Sequence, residues 1–450
     1  MKTLILEVHL QGAWHTAAKL TFSEPEKGRY GAMQLEYMAA LVAEFQDTPA
    51  ALVALTIPLD FFSYRFERWP VFLLEMMPMG AARRYWCGRY QWQHMDSAEH
   101  DLFLLENHSQ APIGNLRIAP VTPKSPVVSG FSQQDVASRA TGFLDYANSV
   151  GAAIGGATGA GGEAPKYLLQ EDQRGNFYPE GCLSDEKVQH HWLVKYPRQS
   201  SAQQTSLVID QIILEAEAAY YSIAAELGFS TLNHNLKYIA VDEHSGIYKP
   251  SLWLRRFDRL HLNDTATATR LGVESFYSLA SIYEPGATVD HSLYLAHLKD
   301  LWQQWQQTDF ASVVEEYLAR DLLNILLGNT DNHGRNMALI KTDTGVALAP
   351  IYDLAPMALD PAGIIRTTRW SQANELGGQF NWQGICEEAA QATGVPATQL
   401  WQSLQKRAIK MQAMPELALK YQVPEAVLHH QTANLNLLAV PDRLKHWGLI

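Results

Sequence analysis

The chain is poor in cysteine, in charge and in long apolar runs. Three cysteines occur in 450 residues, Cys87, Cys182 and Cys386, with no C-x-x-C pair among them. That spacing argues against a disulfide framework and against a zinc site, and it fits a reducing compartment. Charged residues make up only 18% of the chain, and the acidic ones outnumber the basic ones, leaving a formal net charge of −12. Broad electrostatic attachment to nucleic acid or to an anionic membrane is therefore disfavoured, although a local basic patch stays open. No apolar run approaches the length of a membrane span. The uncharged stretch from Ala147 to Gly162 is mostly Gly and Ala and reads as a loop. The opening residues Met1–Val8 alternate toward a strand and lack the longer apolar core and cleavage site of a signal peptide, so a cytoplasmic protein is expected. No G-x-S-x-G or H-E-x-x-H motif appears, which removes two large hydrolase classes. His190-His191 and His429-His430 lack metal-ligand spacing and read as surface features.

What is present is a globular composition, 47% apolar and rich in aromatics, on a chain long enough for two or three domains. Residues 1 to about 125 read as an α+β module. Its expected strands are Leu4–Val8, Ala51–Ile57 and Leu102–Leu105, and its expected helix runs from Ala32 to Phe45 on the stripe Leu35, Met38, Leu41, Val42 and Phe45. The segment Ile118–Gly130, with Pro120, Pro123 and Pro126, reads as a linker. A second α+β region, 126–265, holds a Gly-rich loop, strands at Tyr167–Gln170 and His191–Tyr196, and a helix over Ser206–Leu227 stopped by Gly228. Residues 266–450 read as mainly helical.

The densest chemistry lies in Thr330-Asp331-Asn332-His333-Gly334-Arg335-Asn336, followed by Ile351-Tyr352-Asp353-Leu354. A carboxylate, an amide five residues on and a second carboxylate form the set that phosphoryl transfer needs. One Asp accepts the proton of the attacking hydroxyl, while an Asn and another Asp hold magnesium on the phosphates. The intervening residues 337–348 read as strand, turn, strand, so a hairpin would return Asp353 to the side of Asn336. A polar surface turn is the competing reading of the same residues. Upstream, Gly155–Lys166 would let backbone amides approach phosphates, though it does not match G-x-x-x-x-G-K-[ST], and a flexible linker stays open. Lys195 lies in an apolar strand, where a kinase places its phosphate-binding lysine and a non-kinase places a solvated one. On the helix 206–227, Glu217 falls at the edge of the apolar stripe, whereas Glu215 and Glu226 fall toward the solvated face, so Glu217 is the candidate partner of Lys195. Arg255-Arg256-Phe257-Asp258-Arg259 reads as a strand whose backbone could face adenine, or as a solvated charged strand. His333 could orient the catalytic loop or serve only as a structural hydrogen-bonding histidine.

Together these motifs resemble the HipA-like serine/threonine kinases, the toxin component of bacterial toxin–antitoxin pairs. Asp331–Asn336 is similar to the family's signature loop and Tyr352-Asp353 to its metal motif. Gly161–Lys166 is similar to its Gly-Gly-x-x-Pro-Lys loop, and Arg256–Arg259 to its Arg-Phe-Asp segment. Ala54–Leu59 resembles its "LSLPL" strand and Phe72–Pro78 its "F-x-x-LLP" helix, while Gly272–Leu279 looks closer to the YjjJ-type branch than to HipA proper. The chain departs at three places: Arg335 stands for a usual Lys, Arg255 for a frequent Glu, and Thr158 near the usual regulatory serine. The resemblance implies an α+β, two-lobed, protein-kinase-like fold: the N-terminal module, a mixed α/β N-lobe and a mainly helical C-lobe. It implies ATP and Mg2+ as cofactors, with Asp331 as catalytic base, supported by His333, Arg335 and Asn336. Asn336 and Asp353 would be the metal ligands. Lys195, Glu217, Thr158, Gly159, Gly161, Gly162, Lys166, Phe257 and Asp258 would surround the nucleotide. The implied partners are a protein substrate and a small helix-turn-helix antitoxin, with DNA reached only through that antitoxin and no membrane. A lipid or small-molecule kinase, and a corepressor or inactive kinase acting by sequestration, are the alternatives.

Overall fold

The computed structural model describes residues 1–94, 97–109, 113–119, 130–150, 153–154, 164–198, 204–233, 235–242, 248–260, 268–430 and 435–450. The chain is mixed α/β. It divides into two compact units that are not consecutive in sequence. The first takes Met1–Arg198, Lys237–Tyr283 and Leu339–Ala347; the second takes Gln199–Leu236, Glu284–Ala338 and Leu348–Ile450. This division differs from the three consecutive segments expected. The helix Gln204–Glu226 falls with the helical unit, because it packs against the helix Met414–Lys420.

The first unit begins with a five-stranded sheet. It contains β1 (Lys2–Leu10), β2 (Ala13–Phe22), β3 (Met33–Tyr37), β4 (Ser63–Phe66) and β5 (Leu116–Ala119), in the order β4-β3-β2-β1-β5. Three expectations fail in this module. Residues 33–37 form a strand, and the helix is only Ala39–Phe45. The alternation of buried Met33, Leu35 and Tyr37 with half-buried Gln34 and Glu36 shows why period two wins over the helical stripe. Leu102–Leu105 belongs to a helix, Asp101–His108, which buries Leu102, Leu104 and Leu105 and exposes Phe103. Ala51–Ile57 is not a strand. It follows a short 3-10 turn, and its apolar side chains are buried while its backbone is bonded by side chains.

Those side chains belong to a buried ion pair. Lys341 Nζ donates to the carbonyls of Leu52 at 2.7 Å and Val53 at 3.3 Å. Glu274 accepts from Leu55 N–H at 2.7 Å, and its carboxylate lies 3.6 Å from Lys341 Nζ. Burial lowers the pKa of the Lys341 ammonium against the opposing pull of Glu274. An apolar segment with no strand partner thus has part of its polar backbone satisfied by two charges that satisfy each other, and part by the Tyr37 hydroxyl, which bonds Val53 N–H and the Ile57 carbonyl. Both charges come from one small sheet, in which Ala338–Lys341 lies between Gly272–Ser275 and Val346–Leu348. The expected hairpin over 337–348 is therefore present and gains a third strand.

The second sheet of this unit has the order β10-β11-β9-β7-β6, with β8 paired to β7. Its strands are β6 (Ala153–Ile154), β7 (Lys166–Asp172), β8 (Phe177–Pro179), β9 (Val188–Lys195), β10 (Lys237–Asp242) and β11 (Tyr248–Arg255). One face packs Tyr167, Leu169, Trp192, Val194 and Trp253 against Phe143 and Ala147 of the helix Thr141–Ser149. After β11 the chain enters a buried ion cluster. Asp258 accepts from Arg256 Nη2 at 2.6 Å, Arg259 Nη1 at 2.9 Å and the Gly114 N–H at 2.8 Å. Glu180 takes His191 Nδ1 at 3.1 Å and lies 3.2 Å from Arg256 Nη1. Burial alone would raise the Glu180 carboxyl, but His191, Arg256 and Arg259 outweigh it and hold it well below the ordinary range. Through Gly114 this cluster ties the sheet to the N-terminal module.

The second unit is built of helices. Trp382–Thr393 packs on both His291–Gln304 and Ala397–Met411, and Ala397–Met411 also packs on Phe310–Leu326. Among the described residues no helix is long and apolar enough to cross a membrane.

Two consequences can be measured. A Cβ placed on Gly272 would lie 2.7 Å from Lys341 Cε and 3.0 Å from Lys341 Cβ. Gly272→Ala should therefore displace the pinned lysine and lower stability by ~1–3 kcal/mol in urea unfolding. His9 on β1 is buried, and that burial, reinforced by Arg270, pushes its pKa down to about 4. The unfolded chain binds this proton near pH 6.5 and the folded chain only near 4. Its contribution is full above about pH 6.5 and is lost as pH falls toward 4. His9→Gln should lose less melting temperature than the parent between pH 7 and 4.5; an equal loss would rule His9 out as a source.

Candidate functional site

In the second unit the helix Phe310–Leu326 leads into the motif. Gly328 follows with φ 67°, a left-handed residue that ends the helix at little steric cost and turns the chain into Asn329-Thr330-Asp331. From there the loop is closed by its own polar groups. Asn336 Nδ2 donates to the Asp331 carbonyl at 2.8 Å, and Asn336 N–H donates to the His333 carbonyl at 2.9 Å. These bonds bring the amide side chain back to the residue it must work beside. They also spend the nitrogen of that amide. Among the described residues Asn336 Oδ1 takes no hydrogen bond, so the oxygen is the end left to a ligand.

His333 is buried, and its two ring nitrogens have different tasks. Nδ1 accepts from the Arg335 N–H at 3.2 Å, while Nε2 lies 3.4 Å from Asp331 Oδ1. An Nδ1 that accepts cannot carry the proton, so in the neutral ring the proton sits on Nε2, facing the carboxylate. Arg335 contributes backbone: its N–H meets His333, and its carbonyl accepts from Tyr352 Oη at 2.7 Å.

Tyr352 is the neighbour of Asp353, so that bond brings the second carboxylate's segment to the loop. Asn329 Nδ2 adds a bond to the Asp353 carbonyl at 3.3 Å. Ile351 N–H donates to the Ser230 carbonyl at 2.8 Å, and Ile351 pairs in parallel with Thr231. Asp353 itself has φ 51°, a left-handed conformation that costs a non-glycine residue energy and that surrounding bonds must impose.

On the helix Gln204–Glu226, Glu217 is only 4% exposed, while Glu226 is at the surface, paired with Lys420 at 2.7 Å. The amphipathic stripe therefore picked the buried glutamate. Tyr221, which the sequence reading missed, donates to Glu217 Oε1 at 2.7 Å and takes a bond from the Leu354 backbone. Burial, together with the Glu217 and Asp353 carboxylates, pushes its phenol well above the ordinary value, so it remains a donor. A tyrosine four residues after a helix glutamate was a legible signal; what lay across from it was not.

In the first unit Lys195 and Lys166 are directly opposite each other in the β7–β9 ladder. Both belong to the face turned away from Phe143 and Ala147, and Lys195 is 4% exposed. Arg255 is on the other face, its guanidinium 4.6 Å from the Trp192 ring centre. The expectation that Asp258 contacts nucleotide meets a different placement, with the carboxylate 2% exposed and committed to Arg256, Arg259 and Gly114. Phe257 is half-buried on the adjoining turn. Thr158, Gly159, Gly161 and Gly162 lie outside the described residues.

The donor set suits a hard cation. Asn336 Oδ1 and the Asp353 carboxylate would offer oxygen donors, and magnesium is commonly held by one or two protein oxygens plus phosphate oxygens and water. Among the described residues no group of three His, Cys, Asp or Glu side chains could hold a metal.

A mixed α/β chain with this loop has a known counterpart. The fold is that of HipA from Shewanella oneidensis MR-1, solved as a toxin–antitoxin complex with HipB and operator DNA. The likeness covers 98% of this chain and 96% of that one, with a TM-score of 0.60 at 17% identity. The HipA-like C-terminal domain matches residues 158–416, more than half of the chain, and the chain belongs to that family. A relative from Sinorhizobium fredii, named "Putative kinase Y4mE", is 27% identical over 188 residues. That alignment spans 40% of this chain and 42% of the relative.

Tyr221→Phe removes the donor to Glu217 and an acceptor of the Leu354 N–H. It should cost ~1–3 kcal/mol of stability, read by chemical unfolding.

Proposed function

We propose that the chain is an ATP- and Mg2+-dependent serine/threonine protein kinase of the HipA type. The observation that carries this reading is the closed loop. Asp331 and Asn336 are joined by the Asn336 Nδ2 bond, the amide oxygen is left for a cation, and Asp353 is bonded to the same loop through Tyr352 and Asn329. A surface turn has no need to bury His333 against the carboxylate or to hold an Asp on left-handed backbone.

In this reading Asp331 accepts the proton of a Ser or Thr hydroxyl. The freed oxygen forms a bond to the γ-phosphorus of ATP as the bond to the β–γ bridging oxygen breaks and ADP leaves. His333 would help orient Asp331, its Nε2 lying 3.4 Å from Asp331 Oδ1. Lys166 and Lys195 would bind phosphate oxygens, and Glu217 would orient Lys195. Asn336 Oδ1 and Asp353 would hold Mg2+, which when bound neutralises charge on the phosphates. The Gly-rich loop with Thr158, Gly159, Gly161 and Gly162 would cover the nucleotide. Catalysis of this kind is positioning and charge neutralisation, for which a rigid loop is the main requirement. By its fold the chain is also a candidate to bind a small helix-turn-helix antitoxin, and through it DNA.

The test is purified protein with γ-labelled ATP, Mg2+ and a cell lysate, beside Asp331→Asn. A discrete labelled lysate protein is expected, with label reduced by at least about a hundredfold in the variant. No label together with no nucleotide binding by calorimetry would overturn the kinase reading and favour a partner-binding role.

A further inference from the structure

Asn332, between the proposed base and its histidine, takes no part in the chemistry described above. Its side chain is 4% exposed and bonded to backbone. Asn332 Nδ2 donates to the Thr368 carbonyl at 2.7 Å, and Oδ1 accepts from Thr367 N–H at 3.0 Å and Thr368 N–H at 3.3 Å. Both ends of the amide are thus used on two consecutive residues, as a strand would use its peptide group.

The segment that receives these bonds is itself fixed. Thr368-Arg369 pairs in parallel with Val289-Asp290, and Val289 N–H donates to the Thr367 carbonyl at 2.9 Å. On one side of the two threonines, Arg366 bridges Asp321 at 2.9 Å and Glu375 at 2.9 Å. On the other side, Trp370 Nε1 donates to Asp321 Oδ2 at 2.9 Å, and Trp370 N–H donates to Glu375 Oε2 at 3.0 Å. Asp321 lies on the helix Phe310–Leu326 that leads into the loop. The path from Asp321 through Arg366 and Trp370 to Thr367-Thr368 and then to Asn332 returns to the residue after Asp331. It closes a ring around the loop's approach.

We propose that Asn332 is a positioning residue: it holds Asp331 in place by clamping the loop to Thr367-Thr368, with Asp321, Arg366 and Glu375 as the anchor. The inference rests on the kinase reading for its catalytic meaning, but the clamp is a claim about the loop whatever the protein does. A loop whose base must sit within a fraction of an ångström of a hydroxyl needs a rigid attachment outside the reacting groups. Asn332 supplies it through its amide, bonded to Thr367 and Thr368.

The experiment pairs amide hydrogen exchange with turnover in the full chain, comparing the parent with Asn332→Ala, Asn332→Asp and Arg366→Lys. Asn332→Ala should speed exchange at Thr367, Thr368 and Asn336 by tenfold or more, while the helix Ala397–Met411 keeps its protection. In the labelling assay it should lower kcat by about ten- to a hundredfold, with nucleotide affinity within about threefold of the parent. Asn332→Asp keeps the acceptor for both threonine amides and should recover part of kcat. Arg366→Lys should act by the same route, so the double variant with Asn332→Ala should be slower than Asn332→Ala alone by less than the Arg366→Lys factor. Unchanged exchange at Thr367, Thr368 and Asn336 would overturn the clamp, with or without kinase activity. Faster exchange throughout the helical unit, with nucleotide affinity and kcat lost together, would overturn it as well, since Asn332 would then be only a folding residue. If the parent binds no nucleotide and transfers no phosphate, the kinase reading falls, and the exchange pattern still decides the clamp.

Discussion

The hydrogen bond from Asn336 Nδ2 to the Asp331 carbonyl is the constraint on which the rest of the site depends. It sets the span of a loop whose two functional side chains are five residues apart, and it decides which end of the amide is left for a ligand. Every other contact of the motif works on a loop already closed. The Arg335 carbonyl is available to Tyr352 because the turn after His333 presents it. His333 Nε2 faces Asp331 because Nδ1 is taken by the next backbone N–H but one. Backbone bonding therefore comes first, and the placing of the His333 ring beside Asp331 follows from it.

The two units use charge differently. In the first, buried ions serve architecture: Lys341 and Glu274 substitute for a missing strand partner, and Arg256, Asp258, Arg259 and Glu180 tie the N-terminal module to the second sheet. Removing one member of such a set leaves another charge buried and unpaired, which is costly; intact, the set fixes which segments meet. In the second unit the buried ions Asp321, Arg366 and Glu375 flank the segment against which the Asp331–Asn336 loop is set. The left-handed backbone of Asp353 belongs to the same economy of strain: bonds to Asn329, Arg335 and Ser230 hold the segment in a conformation it would not choose alone.

Much of this was legible in the sequence. Period-two alternation at Met1–Val8 fell in β1, the expected strands Tyr167–Gln170 and His191–Tyr196 fell in β7 and β9, the helix expected over Ser206–Leu227 runs from Gln204 to Glu226, and the hairpin expected over 337–348 is present. The spacing of Asp331, Asn336 and Asp353 pointed to phosphoryl-transfer chemistry, and the stripe on the helix singled out Glu217. The failures have a common cause. Ala51–Ile57 has the composition of a strand, but strand formation needs a neighbouring edge, and here the neighbour is the Lys341 ammonium. Met33–Tyr37 carries a helical and a strand pattern at once, and pairing with β2 and β4 decides between them.

The sequence by itself determined the elements whose pattern is local, the donors and acceptors available to the loop, and the family to which the chain belongs. Tertiary structure alone decided their assignments. Asp258 could read as a nucleotide contact until two arginines and a distant glycine N–H were found around it, and nothing in the local sequence marks Thr367-Thr368 as the partner of Asn332. A side chain's chemistry is written in its residue type. Its partner, when that lies tens of residues away, is set by which surfaces the packed chain brings together, and no local pattern carries that information.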